Sequence, residues 1–390
     1  MSDDPFGFRQ GARFKAGLHP PLRLSLIPTD NGPPLATAGL FTAAQDFPLY
    51  WRHDRASGEA RLSQRRQGDW SPLWRGPVAR GALNLDWLDD GLHVFCDGSK
   101  LLTRSVTEAD GAAVRALHLA GGWARTQIEP PPGDWPAPLT YPPRPAGAVK
   151  TQTDLIFDLG LNDGADTDYY LKKGFRVVAV EANDRLARIA SARWAEAVRE
   201  GRLVVLNVAV GARSGEADFF ENLENDGWSS LEPGLAGRSG HALATRRVRV
   251  VTIEELIAAY GAPHYLKVDI EGADEAVVEG LAEAGALPTF VSVENAPGVE
   301  TLIKLGFDRF KFVNQNELAG TSPPRPAREG RDVDHVFPFG SSGPFGAESP
   351  GPWMDESALR ARLDAVGGRR GLGDGVNWWD LHAWRSGARA

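Results

Sequence analysis

Apolar runs of strand length alternate with helix-like stretches in the second part of the chain. Runs of this length predict buried strands, and the stretches between them predict helices. The predicted strands are 154–159, 176–181, 203–210, 264–270, 289–294 and 308–313. The predicted helices are 165–173, 184–199, 252–260, 273–283 and 298–305. Such an alternation is typical of a doubly wound, mostly parallel α/β sheet.

Two local signals refine this pattern. Thr252-Ile-Glu-Glu255 has the form of a capping box that opens a helix, and Gly261 is placed to close it. Residues 376–385 predict a final strand that pairs near one edge of the sheet.

The first 128 residues show a period of two instead. Leu22-x-Leu24-x-Leu26 and Leu83-x-Leu85-x-Trp87 alternate, and the run Leu92–Cys96 enters the hairpin signal Asp97-Gly98. This pattern predicts a smaller all-β sandwich or jelly roll at 1–128. Repeated prolines at 129–149 predict an extended linker. The α/β domain is expected at 150–390.

Composition excludes several classes of protein. The formal net charge of -8 argues against nonspecific binding to nucleic acid. No apolar run approaches the roughly 18 residues of a membrane span, and the start of the chain lacks the pattern of a secretory signal. Cys96 is the only cysteine, which excludes an intrachain disulfide and a cysteine-based zinc site. These features favour the cytoplasm.

The most informative motif lies where the first strand of the α/β part ends. Asp158 is followed by the turn Gly160-x-Asn162-x-Gly164, a helix, and a second strand that ends at Glu181. Ligands of open α/β sheets bind at the carboxyl ends of strands, and an acid after the second strand can accept ribose hydroxyls. The turn lacks the three glycines of the dinucleotide form G-x-G-x-x-G.

A second motif, Lys267-x-Asp269-x-Glu271-Gly272, follows another buried run. If the strand continues, alternation places the three charged side chains on one face. Charged groups at this position can take a proton or hold a substrate hydroxyl, and Asp269 can bind a divalent cation together with Glu271 or Glu294. The competing interpretation is a salt-bridge network that stabilises the helix start at Gly272.

These motifs resemble known families. The D-x-G-x-N-x-G loop resembles the first motif of class I S-adenosylmethionine-dependent methyltransferases. Together with Val180-Glu-Ala182, Asn207-Val-Ala-Val-Gly211, Val251-Thr-Ile-Glu-Glu-Leu256 and Leu266-Lys-Val-Asp-Ile-Glu-Gly-Ala273, it resembles the FkbM family of methyltransferases over roughly residues 150–318. The resemblance implies O-methylation of sugar hydroxyls or other secondary alcohols.

The resemblance also implies roles for single residues. Asp158, Gly160, Asn162 and Gly164 would line the methionine part of S-adenosylmethionine, and Glu181 would hold the ribose. Asn207 and Val208 would flank the adenine. Asp269 and Glu271 would face the transferred methyl group, with Asp269 the first choice of general base and Glu271 the second.

Polar residues elsewhere are candidates for acceptor binding. Glu294 and Asn295 end a strand at the same sheet edge, and Lys267 lies in the second motif. Trp228 and Ser229 belong to a Gly/Ser-containing segment between predicted strands, which suggests a lid loop. Turn formation or core packing explains these residues about equally well.

The amino-terminal part resembles a galectin-like sandwich in three segments, Tyr50–Arg55, Gly68–Trp70 and Leu92–Gly98. In that resemblance Trp70 would stack on a sugar, and His53 and Arg55 would bind it. Leu73 stands where the resemblance implies an acid. Tryptophans that fill a small core are the alternative explanation.

The sequence therefore predicts a two-domain S-adenosylmethionine-dependent O-methyltransferase that acts on a glycan, sugar precursor or similar polyol, with no resident metal. A homo-oligomer is compatible with this prediction. Two other interpretations stay open at this stage. One is a lectin-like binding protein whose cofactor fold has lost its chemistry. The other is a nicotinamide-dependent oxidoreductase, which the missing third glycine opposes.

Overall fold

The computed structural model divides into two compact units, Met1–Trp135 and Pro136–Ala390. The division falls within the predicted proline-rich linker, although the domain boundaries themselves stay a prediction. In the second unit the structure describes residues 136–143, 149–223, 225–338, 340–365 and 378–387. In the first unit it describes the strands, residues 134–135 and the side chains of Trp51, Ser57, Glu59, Ala60 and Ser63.

The described strands of the first unit form a six-stranded and a five-stranded antiparallel sheet. They are β1 (Gln10–Leu18), β2 (Leu22–Pro28), β3 (Leu35–Thr42), β4 (Leu49–Asp54), β5 (Glu59–Arg66), β6 (Asp69–Pro77), β7 (Leu83–Leu88), β8 (Gly91–Cys96), β9 (Ser99–Arg104), β10 (Val114–Ala120) and β11 (Trp123–Glu129). The sheet orders are β1-β10-β3-β4-β5-β6 and β11-β2-β7-β8-β9.

The alternating segments of the sequence pair with one another in this unit. Leu24 lies opposite Leu85, and Leu22 lies opposite Trp87, so the apolar positions of β2 and β7 share one face. Strands β8 and β9 pair antiparallel, with Cys96 opposite Ser99, whereas the predicted turn residues Asp97 and Gly98 lie outside the described residues. The stacking of the two sheets into a sandwich stays a prediction.

The second unit is an α/β fold, which confirms the predicted fold class for this part of the chain. Its strands are β12 (Thr151–Leu159), β13 (Arg176–Val180), β14 (Leu203–Leu206), β15 (Ala209–Val210), β16 (Gly215–Asn222), β17 (Leu243–Val251), β18 (Ala262–Val268), β19 (Phe290–Glu294), β20 (Arg309–Asn314) and β21 (Trp379–Trp384). Its helices are α1 (Ala165–Lys172), α2 (Asp184–Arg193), α3 (Ala195–Arg199), α4 (Pro233–Ala236), α5 (Ile253–Tyr260), α6 (Asp274–Gly280), α7 (Val299–Lys304) and α8 (Glu356–Ala365).

Seven strands form the main sheet in the order β14-β13-β12-β18-β19-β21-β20. All pairs from β14 to β19 are parallel, whereas β21 is antiparallel to both of its neighbours. The strand order reverses between β12 and β18. In open α/β sheets such a switch point marks the ligand crevice.

Helices cover both faces of this sheet. Along β12, Leu155, Phe157 and Leu159 join one core cluster and Ile156 joins the other, because successive side chains point to opposite faces. Helices α5, α6 and α7 pack on the first face. On the second face lie α1, α2 and a late segment of the chain that contributes Phe345.

Several boundaries differ from the sequence prediction. The expected strand 203–210 splits at Asn207, and β15 pairs with β17 in a separate three-stranded sheet. The expected helix 184–199 breaks at Trp194, whose φ of -112° and ψ of 37° are not helical. The predicted capping box is present, with Thr252 and Glu255 each bonded to the other's backbone. Among the described residues, no helix is long and apolar enough to cross a bilayer.

Candidate active site

The carboxyl ends of the parallel strands collect most of the predicted site residues and most of the backbone strain. Among the described residues, the non-glycine positions with positive φ are Asn162, Ser239, Glu271, Asn295 and Ala296. The first follows β12, the third follows β18 and the last two follow β19. Left-handed backbone is costly for residues with a side chain and clusters at functional sites. The strain therefore marks the same edge as the switch point.

The loop after β12 has the backbone that a closely approaching ligand requires. Gly160, Asn162 and Gly164 have φ values of 86°, 51° and 76°. A side chain at Gly160 would overlap the backbone oxygen of Asp269, and one at Gly164 would overlap the Trp194 ring. The glycines thus let the loop turn while it touches β18 on one side and α2 on the other.

Glu181 holds this loop to the end of β13. Its carboxylate accepts the backbone N–H of Asn162 at 2.8 Å and that of Asn183 at 2.8 Å. Burial, opposed by these two hydrogen bonds, raises its pKa to about 7. A carboxylate has about four acceptor positions, so Glu181 can still accept hydroxyl groups of a ligand.

Asp158 lies beneath the loop and is fully buried. It accepts a hydrogen bond from Thr167 Oγ1 at 2.6 Å and one from Lys267 Nζ at 3.2 Å. Burial is the largest influence on its pKa, which is raised despite the attraction of the Lys267 ammonium. Its side chain supports the loop and does not reach the surface of the site.

Lys267 contacts more of the site residues described above than a single ion pair would require. Its ammonium donates to the carbonyl of Gly160 at 3.1 Å, and it lies 3.7 Å from Asp166 and 3.8 Å from Asp269. The lysine is 4% exposed, and three carboxylates keep its pKa well above the usual value although burial opposes them. One buried cation therefore ties the loop after β12 to the acid that follows β18.

Asp269 directly follows β18 and Glu294 ends the neighbouring strand β19, close enough for the charge of Asp269 to act on the Glu294 carboxyl. Neither carboxylate accepts a hydrogen bond from any side chain or N–H in the described part of the chain. Burial, followed by the charges of Asp269, Glu271, Asp380 and Asp274, raises the pKa of Glu294 to about 9. Glu294 is thus protonated at neutral pH. The oxygens of these carboxyl groups keep acceptor positions that an incoming donor such as a hydroxyl group can use.

Asp380 completes the group and was missed by the sequence analysis. It lies directly opposite Glu294 in the β19–β21 pair and accepts Gln315 Nε2 at 2.7 Å. Burial and the charge of Asp269 raise its pKa to about 7. The predicted strand at 376–385 contained the signal, but only the antiparallel register brings this acid to the site.

The sequence places Lys267, Asp269 and Glu271 on one face only if the strand continues, and the structure shows that β18 ends at Val268. Glu271 adopts a φ of 55° and forms a bidentate ion pair with Arg238, with both N–O distances at 2.8 Å. Ser230 Oγ also donates to the Glu271 carbonyl at 2.6 Å. Glu271 is therefore bound to the segment between β16 and β17.

Residues 225–241 of that segment, which we name the covering segment, contain an aromatic stack next to Glu271. The Arg238 guanidinium lies 4.5 Å from the Trp228 ring centroid, and His241 stacks on the same residue at 5.1 Å. Asp226 pairs with Arg185 at 2.5 Å, near the Glu181 end of the site. The segment is thus bonded to both the β13 side and the β18 side of the edge.

The remaining predicted residues lie in different surroundings. Asn207 is half-buried and donates its amide to the carbonyl of Glu181 at 2.9 Å, so it lies at the site. Asn295 is exposed beside Glu294. Ser229 Oγ accepts a hydrogen bond from the backbone N–H of Asn222 at 3.1 Å. Val208 is fully buried in the core cluster, and its place beside the adenine stays a prediction.

Two expectations concern metals and sugars. Among the described residues, no group of three or more His, Cys, Asp or Glu side chains is arranged to hold a metal ion. The predicted sugar-binding residues Trp70, His53 and Arg55 have side chains that lie outside the described residues.

Comparison with known proteins agrees with this fold and edge. Residues 158–296 match the family model described as methyltransferase FkbM domain. The second unit therefore carries an FkbM methyltransferase domain, which confirms the family named from the motifs and supports a methyltransferase. No curated protein matches the chain.

Solved galectin structures are weakly similar to the amino-terminal β region. Xenopus laevis galectin-Ib has 12% identity and a TM-score of 0.25, covering 31% of this chain and 98% of its own. Chicken Galectin 2 has 9% identity and a TM-score of 0.24, covering 30% and 96%. Caenorhabditis elegans galectin LEC-6 has 18% identity and a TM-score of 0.22, covering 32% and 98%.

Proposed function

We propose that the protein is an S-adenosylmethionine-dependent O-methyltransferase that acts on a hydroxyl of a glycan, sugar precursor or similar polyol. The main support for this proposal is that Lys267 connects the glycine loop after β12 with the acid after β18. Lys267 contacts both the glycine loop, at Gly160, and Asp269, whose carboxylate accepts no hydrogen bond from the described residues. A cofactor bound on the loop and an acceptor bound at the acid would therefore meet.

The residues present fit this cofactor. The turn from Gly160 to Gly164 gives the close backbone approach, and Glu181 keeps acceptor positions for ribose hydroxyls. Asn207, beside Glu181, would lie near the base of the nucleoside. Nearby carboxyl groups favour the positive charge that a sulfonium brings.

The same geometry disfavours a dinucleotide. In dinucleotide folds the pyrophosphate lies at the amino terminus of the first helix, where backbone N–H groups attract anions. Here α1 carries Asp166 and Asp168 in its first turn. A pyrophosphate at that position would meet carboxylates, which argues against the nicotinamide-dependent oxidoreductase.

Each residue near the acceptor has a distinct task in the proposed reaction. Bound S-adenosylmethionine supplies an activated methyl group. Asp269 accepts the hydroxyl proton as the acceptor oxygen attacks, because an alcohol is a poor nucleophile while it keeps its proton. Protonated Glu294 donates a hydrogen bond to a neighbouring oxygen of the acceptor. Lys267 holds Asp269 in place, which preserves the alignment on which the rate depends.

Glu271 takes a different part from Asp269. Its carboxylate is already occupied by Arg238, so we assign it to holding the covering segment over the acceptor. Trp228 and Ser229 belong to that segment and would limit the shape of the acceptor. We also propose a cytoplasmic enzyme, a placement that rests on the single cysteine of the sequence.

Calorimetric titration with S-adenosylhomocysteine and, separately, with NAD tests the cofactor. We expect binding of the first near micromolar concentration and no binding of the second. Failure of both ligands to bind would remove the enzyme and favour the lectin-like protein. Transfer of labelled methyl to a panel of nucleotide sugars, free sugars and polyols then identifies the acceptor class.

A further inference from the structure

Asp166, which lies near Lys267, contacts residues outside the region matched by the family model. Ser341 Oγ donates to Asp166 Oδ1 at 2.7 Å, and the backbone N–H of Ser342 donates to the same carboxylate at 2.9 Å. Ser341 and Asp166 are separated by 175 residues in sequence. The family model ends at residue 296, so these serines belong to a part of the chain that it does not describe.

This contact is buried and leaves the carboxylate little freedom. Ser341, Ser342 and Asp166 are 0%, 2% and 6% exposed. Ser341 Oγ also accepts the N–H of Gly343 at 3.1 Å, so its hydroxyl hydrogen is committed to Asp166. Hydrogen bonds to a buried charge are among the stronger ones in proteins.

Asp166 in turn lies near Lys267. Its Oδ2 lies 3.7 Å from Lys267 Nζ, the ammonium that donates to the Gly160 carbonyl. If Ser341 and Ser342 did not hold it, the carboxylate could draw the ammonium away from Gly160. Competition of this kind matters because Asp158, Asp166 and Asp269 all attract one buried cation.

We propose that Ser341 is a positioning residue for the cofactor loop. It fixes Asp166, and fixed Asp166 keeps Lys267 at the carbonyl of Gly160. The inference rests on the proposed function, since it assigns the loop to S-adenosylmethionine. It adds that a segment outside the matched family region takes part in donor binding.

The rest of this segment is held independently of Ser341. Lys173 and Glu348 form a buried ion pair at 2.9 Å, and Phe345 stacks on Tyr265 at 4.9 Å. Loss of the Ser341 hydroxyl should therefore leave the segment in place. Ser349 gives a matched control, because it is 3% exposed in the same segment and its hydroxyl donates only to the Gly346 carbonyl.

The experiment compares the full-length wild type with Ser341→Ala, Ser341→Thr and Ser349→Ala. Titration calorimetry measures the Kd for S-adenosylhomocysteine, and scanning calorimetry measures Tm. We expect Ser341→Ala to raise the Kd at least about threefold, since a hydrogen bond to a charged group is lost and part of its effect reaches the loop. Ser341→Thr should restore binding, and Ser349→Ala should bind as the wild type does.

Kinetics provide a readout that general destabilisation would not give. In Ser341→Ala the KM for the methyl donor should rise while the KM for the acceptor stays unchanged. If Ser341→Ala does not fold, Ser341→Cys keeps the side-chain shape with a weak donor and should show the same rise in Kd.

Two results overturn the inference while the proposed function stands. One is a wild type that binds S-adenosylhomocysteine and a Ser341→Ala or Ser341→Cys variant that binds it equally well. The other is an equal loss of affinity in Ser349→Ala. A wild type that does not bind the ligand instead overturns the proposed function.

Discussion

Two pairs of acids at the carboxyl edge of the seven-stranded sheet differ in the hydrogen bonds that they accept from the protein. On the side of β12 and β13, Asp158 and Glu181 each accept two hydrogen bonds from the protein. On the side of β18 and β19, Asp269 and Glu294 accept none from the described residues. The protein itself thus satisfies much of the hydrogen-bonding capacity of the first pair of acids. The second pair keeps its acceptor positions, as the proposed proton transfer from an acceptor hydroxyl requires.

The difference is also electrostatic. Burial raises the pKa of Glu181 to about 7, while its two backbone donors act in the opposite direction. Burial and several neighbouring acids raise the pKa of Glu294 further, to about 9. A protonated carboxyl can donate a hydrogen bond, whereas a carboxylate can only accept one. The two sides thus offer different chemistry at the same pH.

Of the changes considered, removal of the proposed base should reduce turnover most. Asp269→Asn keeps the size of the side chain but removes its charge, so we expect turnover to fall by about 10²-fold or more. The Kd for S-adenosylhomocysteine should change little, because the β12 side is untouched. Rates of labelled methyl transfer and calorimetric titration measure the two quantities.

Glu275→Gln is the control for Asp269→Asn, because Glu275 is an exposed acid a few residues later in the chain. It should keep full activity. A fully active Asp269→Asn enzyme would remove Asp269 as the base.

Glu181→Ala attacks the other side of the edge. We expect at least about a tenfold rise in the Kd for S-adenosylhomocysteine, which corresponds to about 1.4 kcal/mol. Turnover at saturating donor should fall much less. Titration of Asp184→Ala, a change of an exposed acid nearby, gives the comparison. Equal affinities of Glu181→Ala and the wild type would refute the assignment.

Arg238→Lys tests whether the covering segment belongs to the acceptor side. The bidentate pair with Glu271 needs the planar guanidinium, which lysine lacks. We expect the acceptor KM to rise by about three- to tenfold while donor affinity stays constant, since a charged hydrogen-bonded pair is weakened. Steady-state kinetics with each substrate varied separately measure this. A rise in donor KM alone would place the segment on the cofactor side.

Glu294→Gln should change turnover and stability least at pH 7, because a protonated Glu294 and a glutamine in its place are both uncharged. A raised pKa in the folded protein means that stability is fully present below the unfolded value, near 4.5, and is lost as pH rises towards about 9. The variant lacks this loss. Its free energy of unfolding should therefore exceed that of the wild type at pH 9 relative to pH 5, as denaturant titrations would show. Parallel pH dependence in both proteins contradicts a buried, protonated Glu294.

The sequence was sufficient for the α/β class and for the glycine loop, because both depend on short-range patterns. Apolar periodicity located the strands of the main sheet, and the spacing from Asp158 to Glu181 matched one strand–helix–strand unit. The boundaries near Asn207 and Trp194 were not predictable, since each depends on which sheet or helix the chain joins next. Val208 was assigned to the site from its motif, yet packing places it in the core.

The residues that sequence analysis missed are those brought in by distant pairing. Asp380 reaches Glu294 only because β21 is antiparallel to β19, and Ser341 reaches Asp166 across 175 residues. Glu271 was placed on a strand face because the pattern alternates, but β18 ends before it. Local alternation cannot show where a strand stops at a strained turn.

The contact of Gly160 with the backbone of Asp269 has a consequence for how this site can vary. No side chain fits between the two backbones. In the proposed enzyme, the donor site and the acid that serves the acceptor would therefore be separated only by main-chain atoms. Changes in acceptor preference would then come from neighbouring parts, such as the covering segment and Asn295, while the backbone would set the distance of methyl transfer.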